Sequence, residues 1–341
     1  MPSPGVLNRD RTGRRPRVSI AIPVYNGARW IGDTVRSALA QTFDDFEVVV
    51  VDNASTDATV ETISVIGDDR VRLFRNPTNL GPYRNMNRTV EESRGELIKF
   101  LHADDELLPN CLERMVERFD DPDIGLVFAP RRIELSNPGD PKQQQWLEDF
   151  GRPERRFGVL RDKNDGRALL RAYLSTRGSY GNWIGEPSSV MVRRACLERV
   201  GGFSLRVRQL NDMDLWALIM AFYDVSFVDE ELSVYRFDGG SGGGNLTSRN
   251  NERRRGWLDP LWMLEGLRRH PEIQAAIPEL DDYIKDLRRR TVRSAVGAVR
   301  RRPSLGPERL RDYASYAAYR ATPASRRPAL HPRIAAVPSA A

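Results

Sequence analysis

The sequence predicts an α/β fold, a mainly parallel sheet flanked by helices, on three observations. Short β-branched apolar runs alternate with amphipathic helical segments through the first 130 residues, the pattern of strands buried on both faces. Polar residues collect where those runs end, as ligand sites do in open α/β sheets. The composition, 40% hydrophobic and 29% charged over 341 residues, is that of a globular chain long enough for a sizeable core.

The elements follow in order. Val18–Ile22 reads as a first strand, and 30–40 as a helix with Ile31, Val35, Ala38 and Leu39 on one face. Phe46–Val51 is a second strand, 59–65 a second helix, Val71–Phe74 a third strand and 83–93 a third helix. Then come strand 96–101, helix 109–119 and strand Ile124–Phe128. Residues 136–165, rich in Pro, Gly, Asp and Gln, read as a long excursion, which is more often functional than idle. Strand 188–192, helix Arg194–Val200 stopped by Gly201-Gly202, helix 212–222 and strand 225–228 follow. The run Gly239–Gly244 reads as a flexible loop, residues 252–320 are helical in pattern, and the Pro/Ala-rich end reads as disordered.

Charge divides the chain. The net is +6, but from Glu252 onward 19 Arg/Lys face 10 Asp/Glu, while the preceding 251 residues carry 34 against 37. All but four of the 53 basic residues are arginine, a uniformity that looks more like compositional bias than selection for phosphate contacts. Cys111 and Cys196 make no disulfide framework, and no Cys/His cluster has zinc spacing. Met1–Arg17 lacks the apolar stretch of a secretory signal. No run approaches the ~20 apolar residues of a membrane span. The expected location is therefore the cytoplasm.

Three polar clusters stand at three strand ends: Pro23-Val24-Tyr25-Asn26, Asp52–Asp57 and His102-Ala103-Asp104-Asp105. Neither GxGxxG nor GxxxxGK[ST] is present, which disfavours a dinucleotide fold or a P-loop. Carboxylates at such a site suit a hard divalent cation such as Mg²⁺, shared with substrate phosphate. Each cluster alone reads equally as a turn with a helix cap; their coincidence is what points to a ligand.

The stretches VSIAIPVYN (18–26), VVDNASTD (50–57) and FLHADDELLP (100–109) resemble the nucleotide-sugar-binding half of family 2 glycosyltransferases. Asn79–Asn85 and Gly95-Glu96 match the same spacing, Asn211–Trp216 resembles the acceptor-side acidic motif, and Val234-Tyr235-Arg236 the segment that closes the catalytic domain. The resemblance covers residues 17–240. It implies a GT-A fold, a Rossmann-like mainly parallel sheet flanked by helices; the C-terminal helical extension lies outside it and is read from the helical pattern over 252–320. It divides the catalytic part into a nucleotide-sugar half over 17–130 and an acceptor half over 131–250; composition and pattern add a disordered leader over 1–16, a basic helical extension over 251–321 and a disordered tail over 322–341.

The resemblance also implies roles. Pro23, Tyr25 and Asn26 would lie along the nucleotide, Asp52 would accept a hydrogen bond from the base, and Arg84 would lie near the nucleotide or diphosphate. His102, Ala103 and Asp104 occupy the DxD position, with Asp104 the direct ligand of Mg²⁺ or Mn²⁺. Asp212 would be the general base, with Asp214 next in line. The first DxD aspartate is His102 here, and Phe237-Asp238 stands where the family often carries a histidine. One expectation is that Asp238 helps bind the metal; an ordinary loop aspartate is the other. Trp183 and Glu186 precede a strand and could line the acceptor site, Trp183 by stacking on a sugar or, alternatively, by packing in the core.

The implied chemistry is a single displacement at the anomeric carbon, inverting its configuration, with a metal assisting the departing diphosphate and a carboxylate taking the acceptor's proton. The acceptor would be a glycan, a lipid-linked molecule or a small molecule. A nucleotide-binding protein without transfer activity and a nucleotidyltransferase are the alternatives on the same fold. No nucleic-acid reader motif accompanies the arginines, so nucleic acid is not the expected partner. The basic helices are expected to pack on the domain, with contact to the inner membrane face as the second reading.

Overall fold

The computed structural model describes residues 15–176, 181–237, 256–301, 304 and 306–336. Strands β1 (Val18–Val24), β2 (Phe46–Asp52), β3 (Val71–Arg75) and β4 (Leu97–Phe100) alternate with helices α1 (Ile31–Leu39), α2 (Thr59–Ser64) and α3 (Pro82–Glu92). A two-residue strand β5 (Glu106–Leu107), helix α4 (Cys111–Val116), β6 (Ile124–Phe128) and β7 (Arg131–Leu135) come next. Helices α5 (Pro141–Phe150) and α6 (Gly166–Ser175) lead to β8 (Val190–Arg193), α7 (Arg194–Val200), α8 (Asn211–Met220), β9 (Asp224–Phe227) and β10 (Ser233–Phe237). The chain continues in α9 (Asp259–Arg268), α10 (Pro271–Ala276), α11 (Leu280–Arg301) and α12 (Gly306–Ala321).

Among the described residues, the main sheet runs β3-β2-β1-β4-β8-β6-β9. It is parallel except at β8, which is antiparallel to both β4 and β6. The period of two in β1 divides the core: Val18, Ile20, Ile22 and Val24 face α1 and α4, while Ala21 faces the larger cluster with α6, α7 and α8. In β2, Val48 and Val50 face the first cluster, and Val49 and Val51 the opposite side. The sheet is covered on both faces, as the unbroken apolar runs predict.

A second sheet, β5-β10-β7, lies apart from the first and was not expected from the sequence. The excursion over 136–165 also contains structure. Asp140 caps α5 by accepting the Lys142 N–H at 2.9 Å, and Pro141 fills the first turn. Trp146 of α5 stacks on Phe237 of β10, with ring centroids 4.0 Å apart, so the excursion packs against the small sheet.

The helices after residue 256 join the larger core. In α9, Leu261, Met263, Leu264 and Leu267 are fully buried, each contributing about 1.5–3 kcal/mol by burial. Buried Glu265 accepts from Tyr316 Oη at 3.0 Å and Arg320 Nη1 at 2.8 Å, tying α12 to α9. The expectation of a disordered end from Thr322 does not hold for residues 322–336. That segment folds back over α7 and α8 with Leu330 and Ile334 buried, because these side chains join the larger core built by residues far back in the chain. The leader to residue 14, the glycine run and residues 337–341 lie outside the described residues.

Candidate active site

The order β2-β1-β4 sets the three polar clusters side by side. Val24 pairs with Asp52 across β1 and β2, and Ala21 with Phe100 across β1 and β4. The loops after β1 and β2 brace each other. Asn26 N–H donates to Ser55 Oγ at 2.8 Å, and Asn26 Oδ1 accepts from Thr56 N–H at 2.9 Å. Asn26 (φ 51°) and Ala54 (φ 62°) are left-handed, a conformation that costs non-glycine residues energy and gathers at functional sites.

Tyr25 is 49% exposed beside them, and Pro23 is partly exposed on the strand. Asp52 is wholly buried. Its two oxygens accept from Ser55 N–H at 3.2 Å, and Arg75 Nε lies 3.1 Å from Oδ2. Arg84 is exposed on the first turn of α3. That turn is placed by an asparagine network the sequence reading missed. Asn76 Nδ2 donates to Asn53 Oδ1 at 2.9 Å and Asn85 Oδ1 at 2.8 Å. Asn85 Nδ2 in turn donates to the Val51 carbonyl at 2.9 Å. A run of asparagines after successive strands was the available signal.

At the end of β4 the chain turns through His102, Ala103 and Asp104, all partly exposed, into buried Asp105. Ser188 Oγ accepts the His102 N–H at 3.0 Å and donates to Asp105 Oδ2 at 2.5 Å. Arg236 of β10 donates its N–H to Asp105 Oδ1 at 3.3 Å and its guanidinium to the Asp104 carbonyl at 3.2 Å. Thr34 Oγ1 donates to the carbonyls of Ala103 and Asp105, at 3.0 and 2.8 Å. Burial, then the charge of Asp104, pushes the Asp105 carboxyl well above the usual carboxylate range. Ser188, Thr34 and Arg236 were not anticipated in these roles.

Ligand atoms of His102, Asp104 and Asp105 all lie within 4.8 Å of one another, a spacing that fits one divalent cation. Asp104 is the freer carboxylate of the two, since Asp105 is already held on both oxygens. Beneath the turn, Lys99 is fully buried and its Nζ lies 3.2 Å from the Phe100 carbonyl. Burial lowers the pKa of that ammonium, while Cys111 and Asp105 act to raise it.

Asp212, in the first turn of α8, is half-buried. Desolvation pushes its carboxyl up to about 6, with His102 acting to lower it and Glu186 to raise it. The structure therefore brings Asp212, His102 and Glu186 within electrostatic reach of one another. Glu186 is held by Arg131, whose Nε lies 2.5 Å from Oε2 and whose Nη2 donates to Oε1 at 3.0 Å. Burial, followed by Glu186, Asp105 and Asp104, raises the Tyr235 phenol, while Arg131 acts to lower it.

Two expected residues stand elsewhere. Trp183 is 7% exposed and packs edge-on against Phe157 and Tyr173, at centroid distances of 5.0 and 5.4 Å. Its ring is packed in the core. Asp214 is completely buried and pairs with His331 Nε2 at 2.8 Å. Two residues along a helix is more than half a turn, so Asp212 and Asp214 face different ways. Asp238 lies outside the described residues.

Residues 19–177 match the sequence profile described as glycosyl transferase family 2. The uncharacterized protein MT1568 of Mycobacterium tuberculosis (strain CDC 1551 / Oshkosh) is 42% identical over 225 residues, 65% of this chain and 67% of that protein. The succinoglycan biosynthesis protein ExoO of Rhizobium meliloti (strain 1021) is 40% identical over 114 residues, 33% of each chain. This chain thus spans two thirds of the first relative's length and one third of the second's. Among solved structures, S. aureus TarS 1-349 in complex with UDP-GlcNAc superposes with a TM-score of 0.60 at 16% identity, covering 79% of this chain and 72% of that one. The mannosyltransferase PcManGT from Pyrobaculum calidifontis, in complex with GDP-Man and Mn²⁺, gives 0.52 at 20% identity, covering 92% and 84%. At such identities the likeness establishes the fold, which is GT-A. The chain belongs to glycosyl transferase family 2.

Proposed function

We propose that this protein is an inverting glycosyltransferase, moving a sugar from a nucleoside-diphosphate sugar to the hydroxyl of a glycan, lipid-linked or small-molecule acceptor. The observation that carries the reading is Asp212, a carboxyl pushed up to about 6 beside His102, with the acidic turn at the end of β4 next to it. The nucleotide sugars bound by the two solved relatives support it.

In this reading the loops at the ends of β1 and β2 would hold the nucleotide, with Tyr25 near the base and Asp52 and Arg84 beside it. Asp104, with His102 and in this proposal Asp238, would hold Mg²⁺ or Mn²⁺. When bound, the cation supplies Lewis-acid stabilisation of the diphosphate as it leaves. Ser188 and Arg236 keep the turn rigid, so the ligands are set before the donor arrives. Asp212 then accepts the proton of the attacking hydroxyl at its carboxylate. A base with a pKa near 6 is ionised at neutral pH yet still basic enough to pull the proton. Glu186, held by Arg131, would meet the acceptor.

A thermal-shift screen of nucleoside diphosphates tests this directly, since a ligand bound only by the folded state raises apparent stability. UDP or GDP with Mn²⁺ should raise Tm, and less so without the metal. A flat response to every nucleoside diphosphate contradicts the proposal.

A further inference from the structure

We infer that the C-terminal extension positions the base: Asp259 and His331 hold helix α8 from behind, so that Asp212 faces the acidic turn. The inference rests on Asp212 being the base, and it assigns a catalytic consequence to a region outside the family match.

Helix α8 begins without a cap of its own. Its N-cap residue is Leu210, whose side chain makes no capping bond, although the N–H groups at a helix start need acceptors. Asp259, the first residue of α9, supplies the acceptor just ahead of the helix. Its Oδ2 takes the N–H groups of Arg208, Gln209 and Leu210 at 3.0, 2.5 and 3.2 Å. Asp259 is 2% exposed, so a shift of this loop would strand a buried carboxylate, the costly way to lose hydrogen bonds. Asp212 lies two residues beyond the last of the three donors.

The second hold is on another face of the helix. Asp214 accepts from His331 Nε2 at 2.8 Å; with Asp214 ionised, that nitrogen carries the proton. The chain at His331 is itself fastened. Gly202 N–H donates to the Pro332 carbonyl at 2.9 Å, and Leu205 N–H to that of Leu330 at 3.4 Å. Gly201 makes room for it: a Cβ there would come 2.8 Å from His331 Cβ and 2.9 Å from the Pro332 carbonyl oxygen, and its φ of +93° already favours glycine. The segment returns to the helical extension through Arg269 Nη1, 2.6 Å from the Pro328 carbonyl. One structural unit thus grips the base helix at its start and on its buried side. A displacement of about 1 Å at a catalytic group can cost about a hundredfold in rate.

The test uses the full chain with Asp259→Ala, Asp259→Asn and His331→Ala. UDP and GDP with Mn²⁺ probe the nucleotide side, nucleoside diphosphate release reports turnover, and hydrogen exchange reports the peptide over 207–218. In both alanine variants that peptide should exchange faster and turnover should fall about tenfold or more, with nucleotide affinity within about twofold of wild type. Asp259→Asn keeps a side-chain carbonyl acceptor and should recover most of the turnover. Unchanged exchange over 207–218, or a parallel loss of nucleotide affinity and turnover, overturns the inference. Should Asp212→Asn turn over normally while Asp259→Ala still loosens the helix, the base assignment fails and the hold on α8 stands.

Discussion

Ser188 Oγ lies 2.5 Å from Asp105 Oδ2 while accepting the His102 N–H at 3.0 Å. One hydroxyl on the segment leading into β8 therefore fixes both ends of the turn that carries Asp104. Removing it leaves a buried carboxylate short of a donor, worth about 1–3 kcal/mol. Ser188→Ala should weaken Mn²⁺-dependent nucleotide binding by roughly tenfold, read by calorimetry with UDP and GDP. Wild-type affinity would show that the turn is rigid without it.

Asp104 is the freer carboxylate of that turn, and the metal contribution can be isolated there. Asp104→Ala should abolish the difference in nucleotide affinity measured with and without Mn²⁺, as chelation should in the wild type. Asp238→Ala should lower Mn²⁺ affinity severalfold if that residue joins the site. A wild-type metal titration would remove Asp238 from the ligand set.

The acidity of Asp212 sets a pH dependence. Burial pushes its carboxyl up to about 6, and in the proposed mechanism it takes a proton only when ionised. Turnover should plateau above pH 7 and fall about tenfold per unit below about 6. A steady-state profile of nucleoside diphosphate release at saturating donor checks this. A flat profile down to pH 5 would contradict the assignment.

Trp183 separates packing from recognition. With the ring against Phe157 and Tyr173, Trp183→Ala should cost about 3–5 kcal/mol of stability, seen by denaturant unfolding. Trp183→Phe should retain most of that stability and leave acceptor KM unchanged. A selective rise in acceptor KM would instead return the residue to the acceptor site.

The parts of the fold legible in sequence were those whose pattern is local. β1, β2 and β6 announce themselves as mostly apolar, β-branched runs because both faces are buried. β7 has the sequence Arg131-Arg132-Ile133-Glu134-Leu135, too polar to stand out, and β5 is two residues long; only their pairing with β10 makes them strands. The Asp140-Pro141 start of α5 was a capping signal lost within a Pro/Gly-rich stretch.

In the candidate site, motif residues could be named from sequence and their long-range partners could not. Asp104 and Asp212 stand out by motif. Ser188, Arg131 and Asp259 act through contacts 50 or more residues away in sequence, which no local window shows. The tail misled for the same reason: its Pro/Ala composition resembles disorder, while Leu330 and Ile334 are buried by residues far back in the chain.

The central claim is that Asp212 takes the acceptor's proton while other residues bind the donor. Asp212→Asn removes the base with little change in shape. Paired measurements of Mn²⁺-dependent nucleotide affinity and of single-turnover sugar transfer separate the two functions. The account predicts affinity within about twofold of wild type and transfer reduced by about a hundredfold or more. Transfer at the wild-type rate would contradict it.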